Sequence, residues 1–405
     1  MNSYKCNYCS NNKLVSILDL GNQPLANDLK INTKSKQKKY PLKLIYCKKC
    51  QLLQLSKIIP KNLMFKNYLW VTGTSKAVIK YRKDFYKILK NKKYIQKKSK
   101  ILEVASNDGT FLEYFKNKGH EVIGVDPAKN LLKVSNKKGV KTIADFFNFS
   151  KSKEITKKFG KFDFLFARNV IPHVSNLSSV IKGINNVLSD EGIGLIEFHN
   201  LSTIINELHF DSVYHEHLNY FSLVDMRNIL RENSMHIFDI FDSPISGGSK
   251  VILFSKKIKK QSMKYKKLLI SENKYFFNKL NILKRFAYDT NQYKKKLLKL
   301  IKLKNYKNIC GYGASARSST LLNFCGIDSK IMNYIFDKNF LKHNKFTPGT
   351  NIKIVNLNKI KEVKPDLIII LSWNFKKEIL SDLKQIGYKN DILIVLPNNP
   401  YYQKI

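Results

Sequence analysis

The densest group of acid–base side chains in the chain is a Tyr-His-Glu-His run at 214–217. If the run is extended, its two histidines share one face and its tyrosine and glutamate share the other. The histidines are two residues apart, whereas the zinc motif His-Glu-x-x-His needs them four apart on a helix. A histidine that titrates near neutrality beside a carboxylate suits removal of a proton from a carbon next to a carbonyl. The run predicts a proton-transfer site, and polar residues at a domain edge are the alternative.

Four of the six cysteines form two Cys-x-x-Cys pairs, Cys6 with Cys9 and Cys47 with Cys50. The chain begins without the apolar stretch of a secretory signal, so we expect reduced thiols in the cytoplasm. Each pair can direct two thiolates at one metal ion, and zinc accepts four in a tetrahedron. Because four sulfur ligands leave no position for water or substrate, the pairs predict a structural Zn²⁺ site. Two unrelated redox or free-thiol pairs are the alternative.

A third candidate site lies where a short apolar strand enters the Ser-Asn-Asp-Gly turn at 106–109. Gly109 would let backbone N–H groups and a helix N-terminus approach a ligand, and Asp126 ends the next strand, where it could accept hydrogen bonds from both ribose hydroxyls. The turn lacks the Gly-x-Gly-x-x-Gly pattern of NAD sites. A carboxylate at Asp108 disfavours a pyrophosphate but suits the cationic methionine end of S-adenosylmethionine. With Asp145 at a later strand end, the segment predicts a nucleoside site, and a plain structural turn is the alternative.

The elements around these sites predict an α/β protein with three domains. Residues 1–60 hold the cysteine pairs and form the expected zinc-binding domain. From residue 101 apolar strands alternate with amphipathic helices, which favours a parallel sheet covered on both faces, in a domain spanning 61–255. A basic helical connector follows, for which we expect a helix pair with one lysine-rich solvated face. The strand–turn–helix pattern then restarts, so 256–405 is expected to be a second Rossmann-like domain.

The formal charge of +43 raises the question of nucleic acid. Only six of the 73 basic residues are arginine, the residue that phosphate and base recognition usually recruits. An RNA-binding protein that keeps its nucleotide folds as relics would need arginine and exposed aromatics on one face. We therefore expect a solvated lysine coat and no nucleic-acid partner. No apolar run approaches the ~18–20 residues that cross a bilayer, so we expect a soluble, cytoplasmic protein without a membrane partner, as a monomer.

With these residues in view, the chain resembles a bacterial C-methyltransferase family. Its members use S-adenosylmethionine to methylate a carbon atom of nucleotide-linked keto-deoxysugars. The resemblance covers essentially the whole chain. The motifs that carry it are LDLGNQPLAN at 18–27, SNDGT at 106–110, NVIPHV at 169–174, YHEHLNYFS at 214–222, GGS at 247–249, GYGA from 311, PGT at 348–350 and SWNF at 372–375.

The resemblance implies a zinc domain, a class I methyltransferase domain and a C-terminal domain of related topology, with the active site between the last two. It implies that His217 is the general base, with Tyr214 and Glu216 beside it and Tyr68 reaching in. A 4-keto group would acidify the neighbouring C–H, and a tyrosine could stabilise the enolate that attacks the methyl group. The expected cofactor-binding residues are Glu103, Ala105, Asn107, Asp108, Gly109, Asp126, Asp145, Asn169 and His173.

Two positions depart from the family pattern. Ala105 stands where the family commonly has glycine, which would place the backbone farther from the cofactor. Arg317-Ser318-Ser319 replaces a more usual Lys-Gly-Asn in the C-terminal domain, where contacts to the sugar nucleotide are expected. The substrate is implied only as a nucleotide-linked sugar, and an O- or N-methyltransferase acting on another glycan precursor is the alternative within enzymes.

Overall fold

The computed structural model describes residues 4–65, 71–74, 76–245 and 247–404, which build three β-sheets with surrounding helices. The strands are β1 (Leu14–Pro24), β2 (Lys39–Cys47), β3 (Leu53–Leu55), β4 (Lys100–Val104), β5 (Glu121–Val125), β6 (Lys141–Ile143), β7 (Phe162–Arg168), β8 (Leu188–His199), β9 (Asn219–Tyr220), β10 (His236–Asp242), β11 (Ser249–Ser255), β12 (Ile309–Tyr312), β13 (Tyr334–Phe336), β14 (Lys353–Val355), β15 (Leu367–Ile370), β16 (Asp391–Ile394) and β17 (Tyr401–Gln403). The helices are α1 (Lys61–Phe65), α2 (Lys76–Asn91), α3 (Thr110–Lys116), α4 (Lys129–Lys137), α5 (Phe149–Phe159), α6 (Leu177–Val187), α7 (Leu201–Asn206), α8 (Leu223–Arg231), α9 (Met263–Tyr275), α10 (Lys279–Leu303), α11 (Ala316–Cys325), α12 (Ile360–Val363) and α13 (Lys376–Ile386).

The central sheet has seven strands in the order β6-β5-β4-β7-β8-β11-β10. All neighbours pair in parallel except β11, which is antiparallel to both β8 and β10. Alternate residues of β4 enter opposite cores. Ile101 packs with the aromatic side chains of α2 and α3, while Leu102 packs with α5, α6 and α8 on the other face. The strands are therefore buried on both faces, and the α/β prediction is confirmed.

The C-terminal sheet has six strands in the order β14-β13-β12-β15-β16-β17, and only the pairing of β17 with β16 is antiparallel. A glycine turn joins β12 to α11. Gly313 has φ +96°, and a Cβ at this position would lie 2.1 Å from the Ser372 hydroxyl oxygen, so the turn requires glycine. Ser315 then caps α11 by accepting the backbone N–H of Ser318.

The N-terminal sheet joins the segment with the cysteine pairs to the middle of the chain, which the sequence did not predict. Its order is β1-β2-β3-β9, and β9 comes from the middle of the chain. Leu53 pairs with Tyr220 and Gln54 pairs with Asn219. Because β9 begins two residues after His217, this pairing fixes the C-terminal end of the acid–base run. The predicted boundaries of the three domains stay predictions.

The basic connector forms α9 and α10, as expected for a helix pair. One face of α10 is buried, because Leu283, Phe286 and Leu297 belong to the apolar core shared by the N- and C-terminal sheets. One lysine is also buried. Lys279 donates to both carboxylate oxygens of Asp225 at 2.7 Å and to a backbone carbonyl of the zinc-binding region. None of the helices within the described residues is long and apolar enough to cross a membrane.

Candidate active site

A cavity of about 430 Å³ lies where the three regions of the chain meet. Its volume is within the usual range for small-molecule sites, and it opens beyond the carboxyl ends of β4, β5 and β7, where parallel sheets bind ligands. Asn27 enters from the N-terminal region, and residues after β12 and β15 enter from the C-terminal region. The predicted site residues that line it are Glu103, Ala105, Asn107, Asp126, Asp145, Asn169, His173, Tyr214, Glu216 and His217.

Asp126, expected to bind the ribose of a nucleoside, is held in place by the turn after β4. One carboxylate oxygen accepts the backbone N–H of Asn107 at 2.8 Å, and the other accepts that of Ala128 at 2.8 Å. Burial raises the pKa of Asp126, and these two hydrogen bonds oppose the rise. The carboxylate is thus held rigidly at the end of β5, and its remaining lone pairs are available to ribose hydroxyls.

The turn after β4 carries backbone strain at two non-glycine residues. Ala105 has φ +60° and Asn107 has φ +53°, both in the left-handed region that favours glycine. This conformation explains why glycine suits position 105, where the resembling family commonly has it. Alanine is accommodated here, but its Cβ is held in a conformation that costs about 1–2 kcal/mol.

Asp108 and Gly109 were both expected to bind the cofactor, but neither is among the described residues that line the cavity. The Asp108 carboxylate is buried and pairs with Lys138 Nζ at 2.8 Å, and it also accepts the Thr110 hydroxyl at 2.8 Å. It further accepts the backbone N–H of Gly73 at 3.1 Å. Protein donors therefore hold this carboxylate in the turn, and the expected contact of Asp108 with the cationic end of a cofactor stays a prediction.

The buried carboxylate of Glu103 shows whether the cavity fits a cofactor with a methionine end. Its side chain is buried against the cavity, and its Oε2 atom has no hydrogen-bond partner among the described residues. Burial, together with nearby carboxylates, raises the pKa of Glu103 well above its usual value, although Arg168 opposes this rise. A buried carboxylate oxygen without a donor is costly. The ammonium group of S-adenosylmethionine would supply the missing donor, so the residues present fit this cofactor.

Asp145 and Asn169 occupy two other edges of the same pocket. Asp145 pairs with Lys151 Nζ at 2.9 Å, and this contact lowers its pKa. Asn169 has φ +50° and donates to Glu197 Oε1 at 3.1 Å. Glu197 is fully buried and also accepts from Arg168 at 2.8 Å, so this network holds the loop after β7 in place.

The acid–base run forms a turn, so the condition of an extended backbone, on which the shared faces depended, is not met. The backbone N–H of His217 donates to the carbonyl of Tyr214 at 2.9 Å, which closes the turn. As a result Tyr214, Glu216 and His217 all line the cavity. His215 instead lies 3.3 Å from the backbone carbonyl of Tyr40 in β2. The period-two alternation fails because alternation holds only in extended backbone.

Hydrogen bonds define the protonation state of His217. Its Nδ1 lies 2.8 Å from the carbonyl oxygen of Ser212, and a carbonyl can only accept, so Nδ1 carries the proton. Its Nε2 therefore accepts the Tyr214 hydroxyl at 2.7 Å. Burial, then the nearby His173 and Arg317, hold the pKa of His217 well below its usual value. The ring is neutral at pH 7, and the expected titration near neutrality is wrong for this histidine.

The neighbouring acid and histidine are shifted in opposite directions. Burial raises the pKa of Glu216 to about 7, although the Asn27 side chain opposes this by donating to the carboxylate at 2.6 Å. Burial lowers the pKa of His173 to about 4, and its ring meets that of His217 edge-on with centroids 4.8 Å apart. Glu216 is therefore the group of this cluster that titrates near neutrality.

Several cavity residues were not singled out from the sequence as site residues. Asn27 lies inside a recognised motif, but its contact with Glu216 spans 189 positions and has no local signal. His199 and Trp373 belong to the cavity wall or its support, and Arg317 was noted only as a departure. Tyr68, predicted to reach the active site, lies outside the described residues.

The four predicted metal ligands form one cluster. Their Sγ atoms all lie within 4.8 Å of one another, with Cys6 3.5 Å from Cys50 and Cys9 3.6 Å from Cys47. A tetrahedron with Zn–S bonds of about 2.3 Å has edges of about 3.8 Å, so the cluster fits zinc. The Asn11 side chain also points an amide at Cys47 Sγ, 3.7 Å away. Such a contact can orient and stabilise a thiolate ligand.

Three family models match the chain in order. They describe a zinc binding domain at 6–65, a methyltransferase domain at 80–234 and a C-methyltransferase C-terminal domain at 244–397. The matched ranges identify the chain as a methyltransferase, and its C-terminal part matches a domain of C-methyltransferases. The methyltransferase domain confirms the expected enzyme class, and the zinc binding domain with its four-cysteine cluster confirms the expected zinc site. S-adenosylmethionine is the cofactor that the residues of the cavity fit.

The methyltransferase is also similar in sequence or fold to individual known proteins. The C-methyltransferase NovU of Streptomyces niveus is 25% identical over 387 residues, covering 94% of this chain and 92% of that protein. An S-adenosylmethionine-dependent methyltransferase from Clostridium acetobutylicum is 13% identical, with a TM-score of 0.34 over 44% of this chain and 90% of that one. Magnesium protoporphyrin IX methyltransferase from Synechocystis PCC 6803 is 12% identical, with a TM-score of 0.35 over 44% of this chain and 83% of that one.

Proposed function

We propose that this methyltransferase transfers a methyl group to a carbon atom of a nucleotide-linked keto-deoxysugar. The observation that carries the proposal is the Tyr214–His217 pair, which presents a neutral imidazole nitrogen and a hydroxyl to one cavity. A sugar carbon becomes a nucleophile only after it loses a proton, and the neighbouring ketone makes that proton acidic. A base and a hydroxyl donor side by side are the groups that this chemistry needs.

In this proposal His217 takes the proton through Nε2. The Tyr214 hydroxyl, which donates to Nε2 in this structure, turns to the ketone oxygen and stabilises the enolate. The Ser212 carbonyl keeps the Nδ1 proton in place, so Nε2 remains the accepting atom. Burial disfavours the imidazolium form of His217, but an enolate beside it supplies the opposite charge. The imidazolium and the enolate therefore stabilise each other in the transition state of proton transfer, where both charges develop.

The cofactor supplies, when bound, an electrophilic methyl group on a positively charged sulfur. Glu103 and Asp126 would hold its amino acid and ribose ends, one through an oxygen that lacks a donor and the other through a rigid carboxylate. Glu216, held by Asn27, would orient a substrate hydroxyl beside the reacting carbon. Tyr68 stays in the proposal as a second donor to the enolate, on the resemblance alone.

The position of the transferred methyl group tests the proposal. Purified enzyme is incubated with S-adenosylmethionine labelled with ¹³C in the methyl group and with nucleoside-diphosphate 4-keto-6-deoxysugars. We expect a ¹³C signal in the chemical-shift range of a methyl bonded to carbon. A methyl bonded to oxygen or nitrogen would contradict the proposal and would support the alternative transferase on another glycan precursor. The same substrates incubated in deuterated water separate the two, since only carbon methylation requires loss of a C–H proton.

A further inference from the structure

We infer that the hydroxyl of Tyr220 donates a hydrogen bond to an oxygen atom of the acceptor sugar, which makes Tyr220 a substrate-binding residue beside His217. That the acceptor is a sugar rests on the proposed function. The burial of this hydroxyl, its lack of a partner and its place in the cavity wall are features of the described residues.

The hydroxyl of Tyr220 is buried without an acceptor. The residue is 3% exposed, and its hydroxyl oxygen has no hydrogen-bond partner among the described residues. Burial raises the pKa of Tyr220 well above its usual value, so the hydroxyl keeps its proton. The nearby backbone of Tyr214 opposes this rise, as only a donor facing the phenolic oxygen can do, and so it provides no acceptor for the proton. A buried polar group without a partner costs about 1–3 kcal/mol, which an accepting ligand oxygen would offset.

The position of Tyr220 is fixed by the strand that carries it. Its backbone pairs with Leu53 of β3, and the side chain of the preceding Asn219 donates to the carbonyl of Val174 at 2.8 Å. The ring belongs to the apolar core shared by the N- and C-terminal sheets, whose side chains offer no acceptor to the hydroxyl. The hydroxyl is therefore held in place before a ligand enters, which is the arrangement that makes a hydrogen-bond donor effective in a binding site.

Tyr220 lies in the part of the cavity wall that surrounds His217. The two rings are nearly perpendicular, with centroids 6.5 Å apart, and both residues line the cavity. In the proposed function the carbon that gives its proton to His217 Nε2 lies against this ring, so oxygens bonded near that carbon are within reach of the side chains around it. The Tyr214 hydroxyl already donates to Nε2 at 2.7 Å. The Tyr220 hydroxyl can bind a sugar oxygen without breaking such a bond.

Two other buried tyrosines separate the observations on which the inference depends. The Tyr81 hydroxyl also has no hydrogen-bond partner among the described residues, but Tyr81 is absent from those that line the cavity. The Tyr293 hydroxyl donates to the backbone carbonyl of Val395, and Tyr293 does not line the cavity either. Tyr220 combines an unpartnered hydroxyl with a place in the wall, and the other two tyrosines are matched controls.

The test compares two ligands by calorimetry on the full zinc-loaded chain with S-adenosylhomocysteine present. The ligands are thymidine diphosphate and thymidine diphosphate 4-keto-6-deoxyglucose. Tyr220→Phe should weaken the sugar nucleotide about 2- to 10-fold, the loss expected for one neutral hydrogen bond. It should leave the affinity for thymidine diphosphate unchanged, because that ligand has no sugar at the reacting position. Tyr81→Phe removes the same group outside the cavity wall and should leave both affinities at the wild-type values.

Melting temperatures without a sugar nucleotide separate a binding role from a structural role. Tyr220→Phe should be at least as stable as the wild type, because it removes a buried hydroxyl that lacks an acceptor. Tyr293→Phe removes a hydroxyl that has one and should melt at a lower temperature with unchanged ligand affinities. The inference is overturned if Tyr220→Phe binds the sugar nucleotide as the wild type does, if it loses equal affinity for both ligands, or if it is destabilised as much as Tyr293→Phe.

The inference and the proposed function can fail separately. Carbon methylation by an enzyme whose affinity for the sugar nucleotide is independent of Tyr220 contradicts only the inference. A loss of affinity in Tyr220→Phe that is specific to the sugar nucleotide, together with a methyl group on oxygen or nitrogen, contradicts only the proposed chemistry. No binding of the sugar nucleotide by the wild type at millimolar concentration contradicts both.

Discussion

The central and C-terminal sheets share one strand–turn–aspartate arrangement, but different side chains of the two sheets face the cavity. In both, an aspartate after the second strand accepts a backbone N–H from the turn after the first strand. Asp126 accepts from Asn107 at 2.8 Å, and Asp337 accepts from Ala314 at 2.8 Å. Asp337 is also paired with Lys342 Nζ at 3.1 Å and is absent from the described residues that line the cavity.

This difference shows that the strand–turn–acid pattern encodes the fold, while the neighbours of the acid decide whether it can bind a ligand. A carboxylate paired with lysine is already satisfied. In the C-terminal half the charged residue that lines the cavity is instead Arg317, in the first turn of α11. The lining carboxylates Glu103, Asp126, Asp145 and Glu216, here called the acidic wall, all lie before the connector, where Lys61 and Arg168 also line the cavity. The two halves thus divide the lining charges unequally.

The largest expected effect is on the chemical step, which depends on His217 and not on the carboxylates of the acidic wall. His217→Asn should lower turnover about 10²–10⁴-fold, the usual contribution of a positioned proton acceptor. Binding of S-adenosylhomocysteine should be unchanged, because His217 contacts the turn at Tyr214 and Ser212 and not the carboxylates of the acidic wall. Steady-state kinetics and calorimetry check this. Near-normal turnover would assign the base to another residue.

The next effect concerns Glu216, a carboxyl group of this wall whose pKa burial raises to about 7. The pKa of Glu216 is raised from 4.5 to about 7, so the folded protein binds this proton more tightly than the unfolded chain. Stability should therefore fall as pH rises between about 4.5 and 7, by roughly 3 kcal/mol. Glu216→Gln keeps the shape but cannot ionise. Its melting temperature should exceed that of the wild type at pH 8 and approach it at pH 5, and an equal difference at both pH values would contradict the cause given.

The comparison of the two aspartates is tested directly by a matched pair of variants. Asp126→Ala should weaken S-adenosylmethionine binding about 10- to 100-fold, because it removes charge-assisted hydrogen bonds worth about 1.5–3 kcal/mol. Asp337→Ala removes the equivalent carboxylate of the C-terminal half and should leave that affinity unchanged. Calorimetry on both variants, with melting curves as a check of folding, would reject the division if the two lost affinity equally.

The smallest effect is expected at Ala105, in the turn that precedes Asn107. Its φ of +60° is unfavourable for alanine and free for glycine. Ala105→Gly should raise the free energy of unfolding by a fraction of a kcal/mol to about 1 kcal/mol, because the relief of strain exceeds the entropy that glycine loses on folding. Chemical unfolding curves measure the change. A loss of stability would show that the alanine side chain contributes packing that outweighs the strain.

The elements that local patterns define were predictable. The short apolar strand expected before the Ser-Asn-Asp-Gly turn formed as β4, and the two Cys-x-x-Cys pairs formed one metal cluster, since an apolar run and a Cys-x-x-Cys pair are both local patterns. The side-chain directions in the acid–base run were not predictable, because a turn at Tyr214 replaced the extended backbone. Contacts between distant segments, such as Asn27 with Glu216 and Arg317 with His199, were not predictable either, because no local spacing pattern indicates them.

The central claim is that His217 removes a proton from the substrate carbon before the methyl group arrives. The most direct measurement is uptake of deuterium from solvent at that carbon, followed by NMR with the enzyme and a keto-deoxysugar nucleotide in the absence of S-adenosylmethionine. We predict exchange with the wild type and with His215→Asn, whose ring lies against Tyr40 in β2 and outside the described cavity wall, and none with His217→Asn. Exchange by His217→Asn at the wild-type rate would contradict the account.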